Sequence, residues 1–171
     1  KVNLSKKIVN RNNYLLLTTC YFLIIIMEFK TITPEDMMNV GKKIGMLLKG
    51  GDIVLLYGDL GSGKTTFVKG LALGLGIKEE ITSPTFSLIN IYLIRSPYLL
   101  TEGKQSEVRS LIHIDTYRLK NESELIEIGV EDYLGQPDTI CVIEWPEKLK
   151  KLLKNKKTIS VDIEHREQNK R

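Results

Sequence analysis

The chain has 171 residues, of which 42% are hydrophobic and 27% charged, with a formal net charge of +4 and a pI near 8.9. That is the make-up of one soluble globular domain large enough for a core, which excludes a low-complexity or disordered chain; two cysteines, Cys20 and Cys141, exclude a disulfide framework, and no Cys/His spacing resembles a zinc site. Much of the basic excess lies in the N-terminal tract and in Lys148 to Lys157; it permits contact with nucleic acid without arguing for it, since a lysine run is ordinarily a solvated face.

Residues 1–26 differ in character from the rest of the chain. A basic stretch up to Asn13 precedes an apolar run, Tyr14 to Met27, that is short for a membrane span and closer to the core of a signal peptide. No small-residue cleavage site comes after it, and Leu17-Thr18-Thr19-Cys20 is a poor likeness of a lipoprotein signal. The tract is therefore expected to be a leader or upstream-translated segment outside the fold, with a membrane anchor as the alternative. The domain is expected over residues 27–166. Within it, Glu28 to Ile32 is extended, and Thr33-Pro34-Glu35-Asp36 predicts a helix start with Thr33 as N-cap, Pro34 at the first helical position and acids in the first turn. Met37, Val40, Ile44, Leu47 and Leu48 form its expected apolar stripe, and Gly50-Gly51 ends it.

Asp52 to Tyr57 is a short apolar run, as expected of a buried parallel strand. Gly58-Asp59-Leu60-Gly61-Ser62-Gly63-Lys64-Thr65 comes next, with the spacing of a P-loop. Its glycines let backbone N–H groups converge on phosphates without a Cβ in the way, and the helix after it adds its positive end. Lys64 is placed to meet the β and γ phosphates, and Thr65 to offer a hydroxyl to Mg²⁺, an ion that needs few protein ligands when phosphate oxygens supply others. Four fixed positions recur by accident in roughly one chain in a hundred of this length. The setting lowers those odds, because Phe67, Val68, Leu71 and Leu75 recur at helical spacing directly after the loop.

Further along, Ile81 to Leu93 is expected to pass from a turn at Ser83-Pro84 into a strand with Phe86 and Leu88 among its apolar residues. Thr82, Ser83 and Thr85 lie where a loop after the P-loop helix could approach a γ-phosphate. Residues 95–109 are polar and without period, a surface loop or insertion. Ser110 to Asp115 and Thr139 to Glu144 are each an apolar strand closed by a carboxylate. In doubly wound sheets ligands lie beyond the carboxyl ends of the strands, so Asp115 and Glu144 could both face the P-loop magnesium. A helix-capping role competes for Asp115, and His113 is expected to be a core residue with a satisfied ring. A short helix over 121–128 closed by Gly129, a last strand over 158–163 and a polar tail from 165 complete the chain.

Four blocks in order now carry a resemblance: Gly58 to Thr66, Thr82-Ser83-Pro84-Thr85-Phe86, His113-Ile114-Asp115-Thr116-Tyr117-Arg118-Leu119, and Ile143-Glu144-Trp145-Pro146-Glu147. From Met27 to about Arg166 the chain resembles the TsaE (formerly YjeE) family of bacterial tRNA threonylcarbamoyladenosine biosynthesis ATPases. The first block is generic; the later three at these intervals are specific. The resemblance implies an α/β fold, a single P-loop NTPase domain with a mostly parallel central sheet flanked by helices. It also implies a cytoplasmic, Mg²⁺-dependent ATPase without stable membrane association. Such an ATPase acts with two partner proteins to place a threonylcarbamoyl group on the adenosine beside the anticodon of tRNAs reading codons that begin with A. ATP turnover resets the complex, and tRNA is met through the complex. Carried over by motif, Gly58, Asp59, Leu60, Gly61, Ser62, Gly63, Lys64, Thr65 and Thr66 bind ATP with Thr85 and Trp145. Thr65 and Glu144 hold Mg²⁺, and Lys64 and Asp115 serve hydrolysis. The N-terminal tract has no counterpart in the family, the 95–109 link is longer than usual and the C-terminal end is short.

Two other classes compete. A small-molecule kinase closes an arginine-bearing lid over the transferred phosphoryl group, and the arginines between Met27 and Arg166, namely Arg95, Arg109, Arg118 and Arg166, form no clustered pair. A GTPase would need Asn-Lys-x-Asp, and Asn155-Lys156-Lys157-Thr158 lacks the acid. A non-catalytic nucleotide-dependent interaction module is the third class.

Overall fold

The computed structural model describes residues 27–94 and 108–164 and the two-residue strand Ser5–Lys6. Most of the expected leader, residues 95–107 of the expected loop and the tail from 165 lie outside the described residues. Six strands, β1 (Ser5–Lys6), β2 (Ile53–Tyr57), β3 (Ile89–Leu93), β4 (Ser110–Asp115), β5 (Thr139–Glu144) and β6 (Thr158–Asp162), form one sheet in the order β1-β6-β2-β5-β4-β3. All neighbours are parallel except β3 and β4. This is the mostly parallel α/β sheet expected from the sequence, with the P-loop strand β2 between β5 and β6.

Both faces of the sheet are covered, which is why its central strands are apolar without interruption. Val54, Leu56, Leu111, Ile140 and Val142 share a core with Val40, Ile44, Phe67, Val68 and Leu71 of the helices α1 (Pro34–Gly45) and α2 (Lys64–Gly74). Ile53, Leu55, Ile112, Ile114, Cys141 and Ile143 face the other way, against Leu125 of α3 (Ser123–Glu127) and Val130, Leu134 and Leu149 of the turns beyond it. Cys141 is a buried thiol whose pKa burial pushes up to about 11, and its Sγ donates to the Tyr133 carbonyl at 3.3 Å.

Helix α1 begins with a capping box: Thr33 Oγ1 accepts from the Asp36 N–H at 3.1 Å while the Asp36 carboxylate accepts from the N–H groups of Thr33 at 2.9 Å and Ile32 at 3.0 Å. These N–H donors, Ile32 first, hold the Asp36 carboxyl below its ordinary range. The helix stops at Gly45, sooner than Gly50-Gly51 would place it. There Leu47 N–H bonds back to Ile44 O and Leu48 N–H to Gly45 O, a tighter turn that leaves the α-helical register. Leu47, expected in the apolar stripe, is consequently 69% exposed, while Leu48 is buried.

Helices α1 and α2 touch backbone to backbone. A Cβ on Gly41 would lie 2.3 Å from Phe67 O, one on Gly45 2.3 Å from Leu71 O, one on Gly70 2.1 Å from Met38 O and one on Gly74 2.2 Å from Lys42 O. Four glycines spaced i, i+4 on each helix thus set the distance between them, and with it the placement of the P-loop at the start of α2.

The strand expected over 81–93 begins later. Leu88 N–H closes a turn onto Pro84 O at 2.7 Å, Leu88 has φ 65°, and β3 starts at Ile89. Phe86, expected among the apolar residues of that strand, lies before it and is 83% exposed.

Candidate nucleotide site

Period-two alternation along β4 sends Leu111, His113 and Asp115 toward α2, and the same alternation along β5 sends Ile140, Val142 and Glu144 there. The register pairs Asp115 with Glu144, so two carboxylates stand side by side where adjacent parallel strands end. Register also pairs Leu56 with Glu144, which puts both acids beside the loop that leaves β2.

That loop is held open by three glycines with positive φ, Gly58 at 136°, Gly61 at 80° and Gly63 at 99°. At Gly61 nothing stands within 4 Å of a Cβ position, so the backbone there borders open space. Lys64 is buried; its Nζ donates to Gly58 O at 2.7 Å and Asp59 O at 2.8 Å and lies 3.8 Å from the centre of the Trp145 ring. Desolvation pulls its pKa below the ordinary lysine value, opposed by Glu144 and Asp115.

Thr65 Oγ1 donates to Glu144 Oε1 at 3.0 Å, and His113 Nε2 meets the same oxygen at 2.9 Å. His113, expected to be a core residue with its ring satisfied, is fully buried but has one nitrogen, Nδ1, without a partner. Asp115 accepts three hydrogen bonds: Oδ2 accepts from Ser83 Oγ at 3.1 Å and from Thr85 Oγ1, and Oδ1 accepts from the Tyr117 N–H at 2.9 Å. It is not a helix cap. Two of its three partners reach it from the 82–85 turn, which by sequence could approach a γ-phosphate.

Trp145 turns the chain sharply, with φ 61°, at the end of β5. Its N–H donates to Leu56 O at 3.2 Å, its carbonyl accepts from Thr116 Oγ1, and its ring lies 5.0 Å from that of Tyr117. A cavity of about 540 Å³ results, bordered by Leu60, Gly61, Gly63, Lys64, Thr65 and Thr66 on one side and Thr85, Asp115, Glu144 and Trp145 on the other. Gly58 and Asp59 border a different hollow, with Asp162, Ile163 and Glu164, and reach the site through the carbonyls that bind Lys64. Ser62 lines neither; its Oγ is buried without a partner. Sequence reasoning assigned no role to Tyr117 and Arg118, which also border the cavity, Arg118 lying 4.2 Å from the Phe86 ring. The available signal was position, since both come directly after Asp115.

Among the described residues no group of three or more His, Cys, Asp or Glu side chains could hold a metal alone. One hydroxyl and one carboxylate, Thr65 and Glu144, suit an ion that completes its shell with water and phosphate oxygens, which is how Mg²⁺ binds beside nucleotides. The donor set fits Mg²⁺, and the glycine-bordered hollow in front of Lys64 fits a phosphate chain.

Comparison with known proteins decides the family. The model of the threonylcarbamoyl adenosine biosynthesis protein TsaE matches residues 31–171. This chain belongs to the TsaE family. A Treponema pallidum protein named tRNA threonylcarbamoyladenosine biosynthesis protein TsaE is 42% identical over 117 residues, 68% of this chain and 76% of that one. A Bacillus subtilis protein of the same name is 39% identical over 120 residues, 70% of this chain and 66% of that one. The crystal structure of Bacillus subtilis YdiB is similar with a TM-score of 0.56 and 29% identity, covering 81% of this chain and 76% of that one. All four sequence blocks fall inside the TsaE match. No helix among the described residues is long and apolar enough to cross a membrane.

Proposed function

We propose that this TsaE-family chain is a cytoplasmic Mg²⁺-dependent ATP hydrolase that serves formation of the threonylcarbamoyl group on the adenosine beside the anticodon of tRNAs reading ANN codons. It acts with two partner proteins, meets tRNA through them, and resets their complex by turning over ATP. Gly58 to Thr66 wrap the phosphates, Lys64 neutralises the β and γ oxygens, and Thr65 and Glu144 hold Mg²⁺. Mg²⁺ held there by Thr65 and Glu144 would offset the charge that develops on the phosphate oxygens. Asp115, an acceptor for two hydroxyls of the 82–85 turn, orients the attacking water as that turn responds to the γ-phosphate. Thr85 and Trp145, which both line the cavity, contact the nucleotide.

The observation that carries this reading is the hydrogen bond from Thr65 Oγ1 to Glu144 Oε1, which joins residues 79 apart in the chain at the mouth of the P-loop. The test is ATP hydrolysis by the purified chain, alone and then with the two partner proteins and tRNA. Slow basal turnover that rises in the complex and vanishes in Lys64→Ala and Glu144→Ala is expected. Efficient phosphorylation of a small metabolite, indifferent to partners, would overturn the proposal in favour of a kinase.

A further inference from the structure

His113 sits in the middle of β4 with no exposed surface, and among the described residues the one polar partner of its ring is Glu144. Of its neighbours on the same face, Leu111 and Val142 are apolar and fully buried, while Asn90 and Asp115 are polar and direct their side chains to other partners. An apolar side chain would fill that space without the desolvation that a buried imidazole incurs. Something other than packing therefore sets the residue, and the geometry names it. Nε2 lies 2.9 Å from Glu144 Oε1, the same oxygen that takes the Thr65 hydroxyl. With Nδ1 facing no partner, the ring proton belongs on Nε2, where it is donated to the carboxylate.

We infer that His113 is a positioning residue: it fixes the rotation of the Glu144 carboxylate so that Glu144 and Thr65 present a preformed pair of oxygens to Mg²⁺. The inference rests on the proposed role of Glu144 and Thr65 as the metal's protein ligands. Glu144 is nearly buried and ends a strand, so its side chain has few other anchors: Thr65 from the loop side and His113 from the sheet side hold it between them. Groups that orient a metal ligand in this way typically change metal affinity by about ten- to a hundredfold when removed.

The experiment measures nucleotide affinity by fluorescence of a labelled, non-hydrolysable ATP analogue as Mg²⁺ is titrated, on the full chain, with thermal unfolding as a check of folding. In His113→Leu, affinity without Mg²⁺ should stay at the wild-type value, while the Mg²⁺ midpoint should rise about ten- to a hundredfold. His113→Gln, whose amide nitrogen reaches the position of Nε2, should recover most of that loss, and His113→Asn, which is too short, should not. A wild-type Mg²⁺ midpoint in His113→Leu, with a shifted midpoint in Glu144→Gln, overturns the inference while leaving the metal site intact. Should Glu144→Gln also bind Mg²⁺ like the wild type, the metal reading fails and the inference falls with it. If His113→Leu does not fold, the Gln and Asn variants decide: equal midpoints overturn it, and rescue by Gln alone supports it.

Discussion

Asp115 is buried and accepts three hydrogen bonds beside the cavity: two hydroxyls on Oδ2 and one backbone N–H on Oδ1. Asp115→Asn separates chemistry from stability at this position. The amide oxygen can still accept from Tyr117 N–H, and the Ser83 and Thr85 hydroxyls can rotate to accept from the new NH₂, so no buried polar group is stranded. The stability change should stay within about 1 kcal/mol. The negative charge proposed to orient the attacking water is gone, and single-turnover hydrolysis should fall by about a hundredfold or more while the ATP analogue still binds. Loss of binding together with hydrolysis would assign Asp115 to nucleotide affinity instead. At this scale the sequence was readable where chemistry left a positional mark: acids closing two apolar strands, and a lysine and threonine after spaced glycines. His113 left none, because a single histidine inside an apolar strand looks the same whether it packs or points at a metal ligand.

The helices explain why the P-loop is where it is. Gly41 and Gly45 on α1 meet Gly70 and Gly74 on α2 so closely that each missing Cβ is filled by a backbone carbonyl or the atoms beside it. Alanine is the better helix former by about 1 kcal/mol, which by itself would favour Gly70→Ala. Its Cβ, however, would lie 2.1 Å from Met38 O, and a backbone atom inside a helix cannot move aside as a flexible side chain can. Forced separation of packed elements costs about 1–3 kcal/mol, so the steric effect wins. The midpoint of urea unfolding should fall in Gly70→Ala, and an unchanged or higher midpoint would show that the helices part freely. These glycines were visible in the sequence as residues but not as a contact, since nothing local says which face of which helix a glycine must vacate. The start of α1 was legible in full because Thr33, Pro34 and Asp36 act within one turn. Phe86 was not: it stands with Leu88 just before β3 and reads as part of the same strand, but the Ser83 and Thr85 bonds to Asp115 and the positive φ of Leu88 turn the backbone before the strand begins.

The sheet brings together three stretches far apart in the chain: the loop after β2, the 82–85 turn bonded to the end of β4, and the end of β5. A ligand that touches all three binds only the folded arrangement, because the unfolded chain cannot present them at once. Its binding free energy is then added to the stability of the whole domain. With free Mg²⁺ and an ATP analogue at a hundred times the dissociation constant, the added stability is about 2.7 kcal/mol. For a domain of this size each kcal/mol moves Tm by about 2–4 °C, so scanning calorimetry should show an upward shift of about 5–10 °C. The shift should be smaller with the analogue in EDTA, since Thr65 and Glu144 then contribute no metal contact, and absent in Lys64→Ala. A shift that ignores Mg²⁺ would place the nucleotide away from the Thr65–Glu144 pair. No shift in the unaltered chain would remove the nucleotide from the cavity, because a ligand held by three separated segments cannot bind tightly and leave the stability of the fold unchanged.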